Sequence, residues 1–160
     1  TICCYNVFMN NCDICPILAT NNNGKDIQIA ETEKWRIVLD PNQQFLGKSF
    51  VTLLQHKSSL SSLDEADWRD YEELVRRLEG AIKKAFQPSH FNWSCLMNIA
   101  AANGQQTHVH WHIHPRYDKP VVIAGEHFED SQWYPRKEKI DHIVEDKLLR
   151  IIAEKIKENL

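Results

Sequence analysis

The sequence predicts a single α+β domain with a mostly antiparallel sheet, one long helix between its strands and a second helix near the C-terminus. Short segments rich in β-branched and aromatic residues, each bounded by turn-forming residues, predict the sheet. Two stretches with apolar residues at helical spacing predict the helices. The 160 residues suffice for one core, and 42% hydrophobic residues exclude disorder over most of the length. We therefore expect one domain over residues 1–160.

The first predicted elements are three strands, at residues 27–30, 35–39 and 49–54. An Asp-Pro-Asn turn at 40–42 closes the second strand, and Gly47 opens the third. Because turn residues bound each segment, we expect the three strands to form an antiparallel meander.

A long helix is predicted at residues 62–86. Ser62 and Glu65 form a capping-box pattern at its start, and Pro88 follows its end. The apolar stripe of this helix consists of Trp68, Tyr71, Leu74, Val75, Leu78, Ile82 and Phe86. Two further strands are predicted at 91–99 and 109–113, with an Asn-Gly turn between them.

The last quarter of the chain is predicted to be rich in turns at residues 121–135 and helical after them. The apolar stripe of this C-terminal helix consists of Ile140, Ile143, Val144, Leu148, Ile151 and Ile152.

Charge and cysteine content narrow the class of protein. The 19 basic residues do not exceed the 22 acidic ones, so we expect no nucleic-acid partner. No apolar run reaches the roughly 18 residues of a membrane helix, and no signal peptide is visible at the start. Five cysteines are an odd number, which disfavours a secreted disulfide framework. We expect a cytoplasmic protein with no membrane partner.

The most unusual feature is a row of alternating histidines. His108, His110, His112 and His114 occupy every second position of a predicted strand, so their side chains would share one face at intervals of about 7 Å. A neutral imidazole can attack phosphorus, and a protonated one can stabilise phosphate charge or protonate a leaving group. Such a row suits phosphoryl or nucleotidyl transfer. Spacing alone also permits a metal site, or histidines on a solvated strand face.

Residues 108–113 match the pattern His-φ-His-φ-His-φ, in which φ is an apolar residue. Further matching features lie upstream, namely Cys12-x-x-Cys15, Asp40, Gly47 with the strand after it, His56, Asn98 and Gly104-Gln105. In these features the chain resembles the histidine triad superfamily of nucleotide hydrolases and transferases. The resemblance covers about residues 12–117 and leaves 118–160 as an extension of the same domain. It implies the histidine triad fold and a homodimer.

The resemblance also implies a reaction. His110 aligns with the nucleophile, which would attack the α-phosphate of an adenosine polyphosphate, such as diadenosine tetraphosphate, or of an adenosine phosphoramidate. A covalent nucleotidyl-histidine would form, and water would then release AMP. His112 aligns with the residue whose backbone carbonyl orients the nucleophile and whose ring contacts phosphate. His108 completes the catalytic set.

Three other positions are implied to bind the nucleotide. Asp40 matches the acid that holds the ribose hydroxyls, which suits a carboxylate because it can accept from two hydroxyls. A structural role in the Asp-Pro-Asn turn is the alternative. Asn98 and Gln105 match polar groups near the phosphates and the leaving group, although the connection from Gly104 to His108 is one residue shorter than in better-known branches.

Two positions depart from the superfamily pattern. Lys48 stands where many members have histidine, and its charge could contact the phosphate. His114 stands where an apolar residue is common, and is either a fourth phosphate contact or a polar strand end. These departures keep three rivals open: a nucleotidyltransferase or phosphorylase with the same intermediate, a nucleotide-binding module with little turnover, and a zinc-held structural protein.

A metal site is the second chemical feature of the sequence. Cys12 and Cys15 have a spacing that can place two thiolates on one tetrahedral zinc ion. The resemblance implies His56 and His108 as the other two ligands, and a closed four-ligand site would be structural. The alternatives are two small buried residues or a redox pair. We expect no organic cofactor.

Overall fold

The computed structural model of the protein describes residues 11–19, 27–134 and 138–160. Its main feature is a five-stranded sheet in which all neighbouring strands run antiparallel. The strands are β1 (Ile27–Glu31), β2 (Trp35–Leu39), β3 (Ser49–Leu53), β4 (His90–Ser94) and β5 (His110–Arg116), in the spatial order β1-β2-β3-β5-β4. The α+β class and the antiparallel meander of the first three strands are confirmed.

Two long helices cover one face of this sheet. The helices of the described ranges are α1 (Ile14–Ala19), α2 (Glu65–Phe86), α3 (Asn98–Ala102) and α4 (Asp146–Lys157), with a short 3₁₀ helix at Leu60–Ser62. Apolar residues of α2 and α4 are fully buried in one cluster with the apolar face of β2, β3 and β5. Burial of this area is the main favourable term in folding. None of these helices is long and apolar enough to span a membrane.

The start of α2 differs from the prediction by a few residues. The capping box is formed by Asp64 and Asp67, and Ser62 belongs to the 3₁₀ helix before it. Asp64 accepts from the Asp67 N–H at 3.0 Å, and Asp67 accepts from the Asp64 N–H at 2.9 Å. The Lys57 ammonium also contacts the buried Asp67 carboxylate. This long-range contact favours the start at Asp64 over the one at Ser62, although both fit the local pattern.

The predicted strand at 91–99 is too long. The strand β4 ends at Ser94, and the run Asn98–Ala102 forms α3, because three consecutive alanines favour a helix over a strand. Ile99 of this short helix is exposed.

The C-terminal part also differs from the prediction. The helix α4 begins only at Asp146, so Ile140 and Ile143 lie outside it and are exposed. A small hairpin of β6 (Val121–Ile123) and β7 (Glu126–Phe128) lies within the segment predicted as turns. Its turn places Ala124 and Gly125 at φ of 51° and 87°. Alanine is an unusual residue in such a turn, so the sequence pattern did not reveal the hairpin.

The register of the sheet positions the histidines. His110 lies opposite Thr52 of β3, and His112 lies opposite Phe50. Side chains at directly opposed positions share one face of an antiparallel pair. Ile113, at an intervening position of β5, is fully buried in the core cluster. The histidines therefore occupy the sheet face away from α2 and α4.

Candidate functional site

The centre of the site is a row of three half-buried histidines on β5, at positions 110, 112 and 114. The ring centroids of His110 and His112 are 5.0 Å apart, and those of His112 and His114 are 6.1 Å apart. Period-two alternation places these rings side by side, as the sequence predicts.

A single hydrogen bond determines the tautomer of His110. Its Nδ1 lies 2.8 Å from the backbone carbonyl oxygen of His108. A carbonyl oxygen only accepts, so Nδ1 carries the proton and the neutral ring has its lone pair on Nε2. The carbonyl that orients the His110 ring is therefore that of His108, and not that of His112 as the resemblance implied.

His112 and His114 are neutral at pH 7. Burial, together with repulsion from His110, His114 and Lys48, lowers the pKa of His112 to about 4. Burial also lowers the pKa of His114 to about 4, with added repulsion from Lys48 and Arg116. A bound anion would favour the protonated form of each ring, so these histidines can respond to a phosphate by taking up a proton.

Asp40 and Lys48 form a buried ion pair beside the row. The Lys48 ammonium lies 2.6 Å from the Asp40 carboxylate, and the two residues are only 9% and 8% exposed. The other carboxylate oxygen of Asp40 accepts from the backbone N–H of Asn42 at 2.8 Å. Asp40 is therefore already engaged on both oxygens, and Lys48 is engaged with it.

A buried glutamine holds the loop that carries this pair. The Gln43 side-chain amide donates to the backbone carbonyls of Asp40 (2.5 Å) and Lys48 (3.0 Å). Its amide oxygen accepts from the Gly47 N–H at 2.7 Å. Sequence reasoning did not single out Gln43, because no local pattern marks a glutamine that bonds across its own loop.

The C-terminal extension contacts both β5 and the start of this loop. Arg116, which lies two residues after His114 on β5, donates to both carboxylate oxygens of Asp130, at 2.6 and 3.0 Å. The extended segment at 141–144 pairs with the loop through an isolated bridge between Asn42 and Ile143. The side chain of Asn42 also donates to Asp141 at 2.8 Å. These contacts, which the sequence did not indicate, make the extension part of the site's support.

Asn98 and Gln105 lie at the other end of the site region. Asn98 is the exposed first residue of α3, and the Gln105 N–H donates to the Ala100 carbonyl at 2.8 Å. Among the described contacts, none joins either side chain to the histidine row. Their implied roles at the phosphates and leaving group stay predictions.

A second cluster lies at the N-terminal end of β5. The ligand atoms of Cys12, Cys15, His56 and His108 all lie within 4.8 Å of one another. Sulfur-to-nitrogen distances are 3.6 Å for Cys12–His108, 3.5 Å for Cys15–His108 and 3.3 Å for Cys15–His56. Bonds of roughly 2.0–2.1 Å to nitrogen and 2.3 Å to sulfur give a tetrahedral edge of about 3.6 Å. The four residues therefore fit a tetrahedral metal ion.

The tautomer of His108 supports this fit. Its Nε2 lies 2.8 Å from the Leu53 carbonyl oxygen and must donate to it, which leaves the lone pair on Nδ1, facing both sulfurs. Burial lowers the pKa of His108 to about 4, so the ring is neutral, as a metal ligand must be. Such a hydrogen bond on the far ring nitrogen is the usual support of a metal-binding histidine.

His108 thus differs from the three histidines after it. Its ring belongs to the cysteine cluster, whereas its carbonyl orients His110. Of the four alternating histidines, one therefore belongs to the cysteine cluster and the other three line the sheet face.

Comparison with solved structures gives the same fold. A hypothetical histidine triad nucleotide-binding protein from Sulfolobus tokodaii has a TM-score of 0.69 and 23% identity, over 92% of this chain and 91% of that one. A Zn-bound histidine triad family protein from Mycobacterium smegmatis has a TM-score of 0.61 and 17% identity, over 92% and 94% of the chains. A HIT family protein from Bacillus anthracis has a TM-score of 0.56 and 27% identity, over 69% and 77%.

Comparison of the sequence with protein-family models identifies the family of the chain. No curated protein sequence matches the chain. The family model of the HIT domain matches residues 21–119, which include the loop with Asp40 and Lys48 and the whole of β5. The chain therefore belongs to the HIT domain family.

Proposed function

We propose that this protein hydrolyses adenosine polyphosphates, such as diadenosine tetraphosphate, or adenosine phosphoramidates at the α-phosphate, through a covalent nucleotidyl-histidine on His110. The observation that carries the proposal is the hydrogen bond from His110 Nδ1 to the His108 carbonyl. In the neutral half-buried ring it places the lone pair on Nε2, and this is the form of imidazole that can attack phosphorus.

In the first step, Nε2 of His110 forms a bond to the α-phosphorus while the bond to the leaving group breaks. The leaving group departs with that electron pair and takes up a proton. The imidazole becomes positively charged as the P–N bond forms, and the His108 carbonyl dipole, which accepts from Nδ1–H, stabilises that charge. In the second step a water oxygen attacks phosphorus, the P–N bond breaks, and the water loses a proton. AMP leaves and Nε2 regains its lone pair.

Neighbouring residues would bind and orient the nucleotide. We propose that His112 and His114 contact the phosphate, because their burial keeps them neutral until an anion arrives. We propose that Asp40 binds the ribose hydroxyls with the acceptor capacity left by its two existing contacts. Asn98 and Gln105 are proposed to bind near the leaving group.

We propose zinc as the metal of the cysteine–histidine cluster. Two thiolates and two imidazoles suit zinc, and the related Mycobacterium smegmatis protein is described as Zn-bound. Four protein ligands would close the site, so the ion would hold α1 against the sheet and would supply no catalytic water. Cys12, Cys15, His56 and His108 would be its ligands.

The test of the hydrolase proposal is AMP release from a panel of diadenosine polyphosphates and adenosine phosphoramidates. We expect His110→Ala to lower the rate by at least about three orders of magnitude, because the nucleophile is lost. His127→Ala, which removes an exposed histidine on β7, is the matched control and should leave the rate unchanged. Equal turnover by the native protein and the His110→Ala variant would overturn covalent catalysis on His110.

Two further properties can be tested with the same preparation. Adding inorganic phosphate distinguishes water from another acceptor, because ADP formation would identify a phosphorylase with the same intermediate. We also propose a homodimer, which light scattering of the native protein would detect.

A further inference from the structure

The cationic side chains around the histidine row differ in the contacts that they already make. Arg116 already uses three of its five N–H donors on the C-terminal extension, with two contacts to the Asp130 carboxylate and one to the Gln132 carbonyl at 2.7 Å. Lys139 is exposed and lies 3.7 Å from Asp141. Within the described part of the chain, the Lys48 ammonium contacts one carboxylate oxygen of Asp40. An ammonium has three N–H donors, so two remain for other acceptors.

The backbone of Lys48 is held as firmly as its side chain. Its N–H donates to the Phe45 carbonyl at 2.8 Å, and its carbonyl accepts from the Asp40 N–H at 3.1 Å and from the Gln43 amide. Ordering a long lysine side chain normally costs about 1.5–2 kcal/mol of rotamer entropy. Here the fold has already ordered it, so a ligand that contacts the ammonium does not bear that cost again.

The position of Lys48 also places its charge beside the histidine row. Lys48 immediately precedes β3, whose first residue Ser49 is paired with Ile113 of β5. The next position outward on β5 is His114, and the charge of Lys48 acts on both His112 and His114. A cation at this point faces neutral rings and one carboxylate that it already neutralises.

We propose that Lys48 is a specificity-determining residue, whose ammonium donates to a non-bridging oxygen of the α-phosphate and makes the site select a phosphorylated nucleoside over the nucleoside itself. The inference rests on the proposed function, because it takes the histidine row to be the phosphate site. It goes further in assigning the charge selectivity of that site to one residue of this chain.

The test compares the affinities of AMP and adenosine, which differ only in the phosphate. The dissociation constants are measured by titration calorimetry, and the readout is the ratio of the adenosine constant to the AMP constant. Contacts to the ribose affect both ligands and cancel in this ratio. We expect Lys48→Met to lower the ratio about 10- to 100-fold, the range for losing a hydrogen bond to a charged group. Lys48→Arg should keep most of the ratio.

Two further variants separate charge selectivity from stability. Lys48→Met leaves the buried Asp40 carboxylate unpaired, so a double variant with Asp40→Asn removes both charges and should still show the reduced ratio if the single variant does not fold. Lys57→Met is the matched control, because half-buried Lys57 also pairs with a buried carboxylate, that of Asp67, and is not among the charges that lower the pKa of His112 or His114. It should leave the ratio unchanged.

The outcomes separate this inference from the proposed function. A native protein that binds AMP no better than adenosine would overturn both. A native preference for AMP that persists within about twofold in the single and double variants would overturn the role of Lys48 alone. An equal reduction of the ratio by Lys57→Met would also overturn it, because the effect would then not depend on the place of the charge.

Discussion

Gln43 determines the geometry of the loop between Asp40 and Lys48, and its replacement by methionine tests that dependence. The side chain is fully buried and makes three hydrogen bonds to the backbone of the loop, at residues 40, 47 and 48. Methionine has a similar volume and length and can fill the same space without making these bonds. We predict that Gln43→Met destabilises the protein and weakens AMP binding.

The expected magnitude follows from which backbone groups lose their partner. The Lys48 carbonyl still accepts from the Asp40 N–H, so it remains satisfied. The Asp40 carbonyl and the Gly47 N–H lose the Gln43 contacts, and an unsatisfied buried backbone group costs about 1–3 kcal/mol. The greater apolar burial of methionine offsets about 1 kcal/mol. We expect the free energy of unfolding to fall by about 1–5 kcal/mol.

The assay is equilibrium unfolding in urea, followed by tryptophan fluorescence. Trp35 is fully buried in the core, so its environment reports on the whole fold. Gln44→Met is the matched control, because it makes the same chemical change one residue later at a half-buried position. If Gln43→Met and Gln44→Met lowered the free energy of unfolding equally, the three hydrogen bonds would not hold the loop and the reasoning would fail.

Two further predictions concern the metal cluster and pH. Cys15→Ser should lower the metal content and the melting temperature and should slow AMP release. Cys95→Ser, which lies outside the cluster, should change none of the three. An active, metal-free Cys15→Ser variant would contradict a connection between the metal cluster and the histidine row through His108. The pKa values of His112 and His114 are about 4 in the folded protein, below the ordinary value of about 6.5 in the unfolded chain. Their contribution to stability is therefore fully present above about pH 6.5 and is lost as the pH falls towards 4, because the unfolded chain takes up protons first. Urea unfolding from pH 4.5 to 7 measures this slope, and a double variant with His112→Asn and His114→Asn that kept the native slope would contradict the assignment.

Much of the fold was predictable because it depends on local periodicity. The strand Trp35–Leu39 and the apolar stripe of α2 have patterns that fit only one kind of element. Errors occur where two local patterns compete. Ser62 and Asp64 both head a capping-box spacing, and the distant ammonium of Lys57 favours the second. A second kind of error occurs at Ala124, where two consecutive positive φ angles form a turn that an alanine does not indicate.

The candidate site was predictable as a set of residues but less so as a set of contacts. The structure brings together Cys12, Cys15, His56 and His108, which come from three separate parts of the sequence. Alternation could place four histidines on one face, but it could not assign His108 to a different cluster from the other three. The ion pair of Lys48 with Asp40 and the support of that loop by the extension are long-range contacts with no local sequence signal.

His108 connects the cysteine–histidine cluster to the histidine row. Its ring is held by the Leu53 carbonyl and faces the two cysteines, and its own carbonyl accepts from His110. Rotation about the side-chain torsions can move the ring alone, but a ring anchored at both nitrogens restrains the Cα atom to which the carbonyl group is also joined. A change that releases the His108 ring therefore removes a restraint on the carbonyl on which the His110 tautomer depends. For this reason a structural metal in this protein would act on the chemistry of the row without contacting the substrate.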